Sequence, residues 1–467
     1  MTKALNPKYN PPSRESLTNR LIPAWYDVEK GNLISELKNV TKAAITADGW
    51  TSFSQDHYLT VTLHYVREGQ IKEKVLKTKA VYQAQTGTAV AEEIDGILEE
   101  FGVREKVVAA TVDNAANMDV AVRRLDIIKF PCFAHTLNLG AQKLYNCNVV
   151  SNWAARIRAV VVWMKRSHMA KIVLKEKQRL LNLPQHMLIL DVKTRWNSFF
   201  LMIERFFEQF PAIQAAAMDP RLDKMDNEDF RKAEEFVQLM RVLHTSTLCV
   251  SSDKSPTCGQ ILPILQKLQD HFTVQVEDST FMRSIKEKIW NDLSKRYKDD
   301  NVQSFLEEAT VMDPRFKSKM DRDAIWNRLS EQEETQTQRQ GDEEVEEEEE
   351  EDYQCKTALE ELFAEEDSKL QTTQQNTLSI TERVDQEVQL YKGLPSIPMS
   401  ADAALWWWQK RDTLPLLSDL AQTYLCVQAS SIPSERVFST AGDTISPERS
   451  RILPEKADML IFLQKNC

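Results

Sequence analysis

Ala43-Ala44-Ile45-Thr46-Ala47-Asp48-Gly49-Trp50-Thr51-Ser52 is a run of small and β-branched residues that delivers a carboxylate and then a glycine. A second run, Val107-Val108-Ala109-Ala110-Thr111-Val112-Asp113, ends the same way. Residues of this kind fit a pleated, buried surface, so both stretches read as strands, each bringing an aspartate to or near its carboxyl end. Between them, Tyr58–Arg67 alternates Leu59, Val61, Leu63 and Tyr65 with Thr60, Thr62 and His64. That period of two marks a half-buried strand. Ile71–Gln83 follows after Glu68-Gly69-Gln70, a hairpin-type connection. Thr88–Phe101 places Val90, Ile94, Ile97, Leu98 and Phe101 at helical spacing.

A short helix over 114–125 and a strand over 127–132 complete a unit of three strands, helix, strand, helix, strand. This is the order of a ribonuclease-H-like α/β core, expected over 43–147. The segment before it, 1–42, is Pro-punctuated and then helical, and reads as the tail of something that began further upstream. Beyond His135 the patterning is helical, as in Phe230–Leu248 and Phe281–Tyr297, which predicts a helical insertion over 148–330. Residues 331–356 read as an acidic disordered loop, 357–400 as a helical linker, and 401–465 as a helical region that completes the core.

Charge is concentrated rather than spread. The net charge of −11 arises almost wholly from residues 331–352, with thirteen acidic side chains and one arginine, leaving the remainder near neutral. A neutral body can carry local basic surface but has no global electrostatic footprint of a small dedicated DNA-binding domain. The acidic run itself is a solvated segment by composition, with a partner site as the alternative. Seven cysteines, odd in number and without a CxxC pair, read as reduced intracellular thiols. No run is long and apolar enough for a signal peptide or a membrane span, so no membrane partner is expected.

Several residues carry candidate chemistry. If the strands bearing Asp48 and Asp113 are neighbours, their carboxylates converge at one sheet end and, with a third acid, supply hard oxygen ligands for Mg²⁺. The alternative is a turn aspartate before Gly49 and a helix-capping aspartate at 113. Lys165, Arg166, Lys171, Lys175, Lys177 and Arg179 form a basic run, suited to phosphates or simply a solvated helix face. Trp406-Trp407-Trp408 cannot all face one side of a helix, so at least one meets a second packing surface.

Five motifs occur in order: Asp48-Gly49-Trp50-Thr51-Ser52, Asp113-Asn114-Ala115-Ala116-Asn117, Pro131-Cys132-Phe133-Ala134-His135-Thr136-Leu137-Asn138-Leu139, Thr194-Arg195-Trp196-Asn197-Ser198 and Ser434-Glu435-Arg436-Val437-Phe438-Ser439. Together they resemble the hAT-superfamily transposases and the BED-type zinc-finger proteins derived from them, over nearly the whole chain from Ala43. The resemblance implies a ribonuclease-H-like core interrupted by a large α-helical insertion, with a carboxy-terminal hAT dimerisation region at 401–465. It matches Asp48, Asp113 and Glu435 to the three acidic residues that bind Mg²⁺ in catalytically active members. It matches Cys132 and His135 to a structural CxxH pair, and Arg195 and Trp196 to an Arg-Trp pair that grips DNA. By residue type alone Glu435 reads as a helix-start carboxylate and Trp196 equally as a core aromatic. The paired Cys and His of a BED finger have no counterpart, so no zinc site is expected in this chain. The functional expectation is a nuclear protein that forms a homodimer or higher oligomer through 401–465 and associates with DNA in transcription or chromatin regulation. The alternative is an active Mg²⁺-dependent transposase that cuts and joins transposon ends.

Overall fold

The computed structural model describes residues 12–52, 55–82, 86–193, 195–216, 225–320, 322–343, 379–445 and 452–467. A π-helical turn at Leu17–Leu21 leads into α1 (Ile22–Lys38). Then come β1 (Ala43–Thr51), β2 (His57–Arg67), β3 (Gln70–Ala80), α2 (Gly87–Glu100), β4 (Val107–Val112), α3 (Ala116–Arg124) and β5 (Ile128–Pro131). The five strands form one sheet in the order β3-β2-β1-β4-β5. The β1–β2 and β2–β3 pairs are antiparallel, while β1–β4 and β4–β5 are parallel. The element order expected from the sequence is therefore present, with ends displaced by a few residues; the stretch 83–85 lies outside the described residues.

A two-residue period divides the sheet between two cores. Ala43, Ile45, Ala47, Ala110 and Val112 face one side, packing with Ile94 and Leu98 of α2 and with Met118 and Val122 of α3. Ala44 and Ala109 face the other, beneath the helices that follow β5. These are α4 (Phe133–Gln142), α5 (Asn148–Arg166), α6 (His168–Leu180), α7 (Trp196–Ala215), α8 (Asn227–Cys249), α9 (Ile261–Phe272), α10 (Thr280–Leu293) and α11 (Asp300–Val311). The helix expected to run on to Tyr297 stops at Leu293. Tyr297 has φ 55°, a left-handed conformation that no continuing α-helix tolerates, and the chain turns there.

The disordered loop expected from residue 331 is corrected in its first part. Helix α12 (Asp323–Glu343) runs through it. Ile325, Trp326 and Leu329 are buried and anchor the helix, Gln332 accepts a hydrogen bond from the Tyr424 hydroxyl at 2.6 Å, and Glu333 is 3% exposed. Glu and Gln are good helix formers, and tertiary anchoring outweighs the charge repulsion over these turns. Residues 344–356, and the linker as far as 378, lie outside the described residues.

The rest comprises α13 (Ile380–Gly393), opened by a Ser379–Glu382 capping box, α14 (Ala403–Lys410), α15 (Pro415–Leu425), α16 (Ile432–Thr444) and α17 (Pro454–Asn466). In α14 the three tryptophans part company. Trp407 is buried and donates to the Met312 carbonyl at 2.7 Å, whereas Trp408 is 39% exposed, beside the β2–β3 turn at Gly69. Helix α17 lies along the edge strand β3. Asp458 accepts from the Thr78 N–H at 2.7 Å, and Asn466 accepts from the Val75 N–H and donates to its carbonyl. Side chains thus satisfy an edge that would otherwise template pairing with another strand. Phe462 closes the seam between Tyr26 and Phe101, fully buried.

Candidate functional site

Parallel register brings the two aspartates to the same level. Thr46 of β1 is paired with Thr111 of β4, and two residues further along each chain stand Asp48 and Asp113, on the face turned to the helical body. Residues of one late segment bind that face. The Thr111 hydroxyl donates to the Gln428 carbonyl at 2.6 Å, and the hydroxyls of Thr46 and Ser434 hydrogen-bond at 2.6 Å. Ser434 is in the first turn of α16, so the next residue, Glu435, is held near the ends of β1 and β4. Pro433 occupies the early position where its missing N–H costs nothing, and a carboxylate in this first turn is favoured by the helix dipole. Trp50 stacks on Tyr58 at 4.8 Å and meets Phe438 at 5.2 Å, clamping α16 to the same edge.

The charges of these groups interact. Burial first, then like-charge repulsion from Glu435 and Asp113, raises the Asp48 carboxyl to about 8, with the Gly49 N–H opposing the shift. Desolvation is the larger cause, and the part owed to Glu435 and Asp113 shows that the three carboxylates are near enough to repel one another. Lys129 on β5 sits close enough to sense the Asp113 charge, but burial lowers its pKa and it pairs with Asp119. All three donors are hard carboxylate oxygens, the set that suits Mg²⁺. Among the described residues, no three His, Cys, Asp or Glu side chains form a group already placed around a single ion. Glu435 is exposed; Asp48 and Asp113 are half-buried.

Cys132 and His135 meet at the start of α4. Cys132 caps α4, its fully buried Sγ accepting from the His135 N–H at 3.4 Å and from the Ser431 N–H at 3.3 Å. Burial raises the thiol, so it remains protonated beneath the Glu435 helix. This sulfur joins the two halves of the site.

Arg195 and Trp196 diverge. Arg195 is exposed, whereas Trp196 is only 2% exposed, at the start of α7 among Phe200 and His244. The DNA-gripping role expected of Trp196 is therefore corrected in favour of the core aromatic: its indole is withdrawn from solvent. Phe199, Phe200, Ile203 and Phe206 continue an apolar face into which the indole falls, and the Trp196 backbone N–H donates to the Asn138 side chain at 3.2 Å. The basic residues Lys165, Arg166, Lys175 and Arg179 are exposed on α5 and α6.

No role is legible in the sequence for Thr46, Thr111 or Gln428, and Ser434 is marked only as the first residue of the fifth motif. The sole hint was the alternation that placed both threonines on the aspartate face. Nothing local marks Ser434 or Gln428 as their partners.

The same regions match known families. Residues 46–129 match the model described as ZBED1 RNase-like domain, 130–242 the ZBED1 RNase-like helical domain, and 387–467 the hAT family C-terminal dimerisation region. The chain is similar to Zinc finger BED domain-containing protein 4 of Homo sapiens, 26% identical over 490 residues, spanning 99% of this chain and 41% of that protein. It is similar to the Putative AC transposase of Zea mays, 23% identical over 98% of this chain and 61% of that protein. A third relative, Putative transcriptional regulator tpeD of Talaromyces stipitatus, is 22% identical over 97% of this chain and 57% of its own length. The chain thus spans between two fifths and about three fifths of these relatives. Among the described residues no helix is long and apolar enough to cross a membrane.

Proposed function

Because the chain belongs to the hAT family of transposases and the BED zinc-finger proteins derived from them, we propose that it works in the nucleus as a dimer associated with DNA, in transcription or chromatin regulation. The sheet with its helical body is read as a ribonuclease-H-like core carrying a helical insertion. The observation that carries the proposal is the bonding of residues 428–434 to Thr46 and Thr111. It makes the dimerisation region part of the site, so a second subunit would bring a second carboxylate edge at a fixed relation to the first. A symmetric dimer presenting two equivalent edges suits paired sites on a duplex. Exposed Arg195, Lys175 and Arg179 are suited to phosphates, which position a protein on DNA without reading sequence.

A second reading, metal-dependent cutting and joining of DNA, draws support from the raised Asp48 carboxyl. Asp48, Asp113 and Glu435 would hold Mg²⁺, and a divalent cation there would supply Lewis-acid activation of a phosphodiester. The chain's own contribution is positional. Thr46 and Ser434 orient α16, Cys132 ties it to α4, and the buried face beneath limits water.

Light scattering on the full chain, with duplex-binding titrations at several salt concentrations, tests the first reading; a monomer without duplex affinity would overturn it. Nicking of DNA bearing hAT terminal repeats, with and without Mg²⁺, tests the second. Equal nicking by wild type, Asp48→Ala and Glu435→Ala would eliminate it.

A further inference from the structure

A groove of about 690 Å³ opens in the helical body between α9, the end of α10 and the segment bearing Lys319, Met320 and Arg322. Trp290 and Met320, both half-buried, give it apolar lining, and Lys267, Lys298 and Lys319 line it as exposed side chains. Arg296 and Arg322 also line it, one paired with Asp292 and the other near Glu307, while Asp270 is the single acid in the lining. The excess of positive charge is local, on a chain whose net charge is −11. A second groove of about 610 Å³ shares Tyr297 and Lys298 with the first and reaches Asn114, the residue after Asp113. Tyr297 forms the ridge between them, its hydroxyl donating to the Pro131 carbonyl at the end of β5 at 2.7 Å. The Asn114 Nδ2 is buried without a hydrogen-bond partner, a donor in want of an acceptor.

Exposed cations and an indole in one lining are complementary to a nucleotide. Lysines attract phosphates, and an aromatic face receives a base whatever its sequence. Trp290 is a half-buried lining residue rather than an exposed one, so a base must leave the duplex stack to reach it. A basic groove without an aromatic lining residue would suit an acidic peptide equally; the indole favours nucleic acid. We propose that this groove seats a single-stranded DNA segment running from the carboxylate edge, with a base against Trp290 and phosphates along Lys298 and Lys319. The proposal rests on the reading that the carboxylate edge works on DNA, and it makes the helical body a guide for a strand that has parted from its complement.

The test uses the full chain and a fluorescein-labelled thymidine oligonucleotide of about twelve nucleotides, within the span that one binding surface covers. Wild type is expected to bind it. The pair Lys298→Glu and Lys319→Glu should weaken binding at least tenfold and flatten its salt dependence, by roughly 0.7 in log–log slope for each phosphate no longer neutralised. Trp290→Leu, which keeps an apolar side chain, should weaken binding roughly tenfold with unchanged salt slope. Thermal melts run alongside exclude unfolding as the cause. Unaltered affinity in folded variants overturns the proposal, as does equal competition by polyglutamate. If wild type binds a duplex but not the oligonucleotide, the groove assignment fails and DNA association stands. If it binds neither, both fall.

Discussion

The hydroxyls of Ser434 and Thr46 lie 2.6 Å apart across 388 residues of chain. Thr46 is in register with Thr111, so this contact helps to set the helix that carries Glu435 over the two strands that carry Asp48 and Asp113. The bond is buried and is shared with Thr62, which makes it part of a polar seam in an otherwise apolar layer. His64 completes the seam, held neutral by burial that lowers it to about 3.

Ser434→Val should cost about 1–3 kcal/mol in a denaturant melt, because Thr46 and Thr62 lose a partner where water cannot replace it. If the chain nicks DNA, this variant should also lose activity more than tenfold while remaining a dimer. An unchanged melt would show that the seam does not hold α16 in place.

Asp48 gives a pH signature. With its carboxyl raised to about 8, the folded chain holds this proton more tightly than the unfolded chain does. Its contribution to stability is therefore complete below the ordinary carboxylate range and is lost as pH rises through about 8. Mg²⁺ bound there should displace the proton. Calorimetry at pH 7 in buffers of different ionisation enthalpy should detect proton release on Mg²⁺ addition, absent in Asp48→Asn.

Asp458 follows the same sign in a different window. Burial raises it to about 6 although the Thr78 N–H and Lys77 oppose the shift, so its stability contribution falls as pH climbs from about 4 to 6. Asp458→Asn keeps an acceptor for Thr78 and should flatten that slope in thermal melts. Asp458→Ala leaves the Thr78 N–H unpaired and should cost about 1–3 kcal/mol.

Trp196→Ala should cost about 3–5 kcal/mol, as for other buried aromatics. Trp196→Phe should recover much of that. Arg195→Ala should leave the melting temperature unchanged while weakening duplex binding at low salt. A Trp196→Ala variant with wild-type stability and impaired DNA binding would restore the stacking role that its burial argues against.

Deleting residues 401–467 is no clean test of dimerisation, because α16 and α17 complete the packing of the sheet. Leu390 and Leu405, 46% and 44% exposed within the matched dimerisation region, offer a gentler probe. Leu390→Glu with Leu405→Glu should shift light scattering toward the monomer mass with the fold intact. An unaltered mass would move the interface elsewhere.

The strands were legible because residue type and, in β2, the two-residue period are local. That Asp48 and Asp113 converge was legible only on the condition that their strands be neighbours, an adjacency set by the β1–β4 pairing. Tyr297 was not, since the left-handed turn there depends on where α10 must stop against its neighbours. The helix through 331–343 was hidden by charge; the contacts of Ile325, Trp326 and Gln332 that overcome it are tertiary. Trp196 shows the limit most plainly. An Arg-Trp pair looks the same in sequence whether the indole lines a surface or a core, and only the run of aromatics after it hints at the second. Glu435 reached the site through the motif alone, because its partner hydroxyls lie hundreds of residues away.

The covering of β3 by α17 has a consequence for biosynthesis. A ribosome releases the β-hairpin edge long before residues 454–466 exist, so the nascent polypeptide carries an unsealed strand through most of its translation. Such an edge invites intermolecular pairing, and the interval grows with every codon between them. The protein should consequently lean on holdase chaperones during synthesis, and premature termination upstream of Pro454 should yield aggregates rather than a smaller working product.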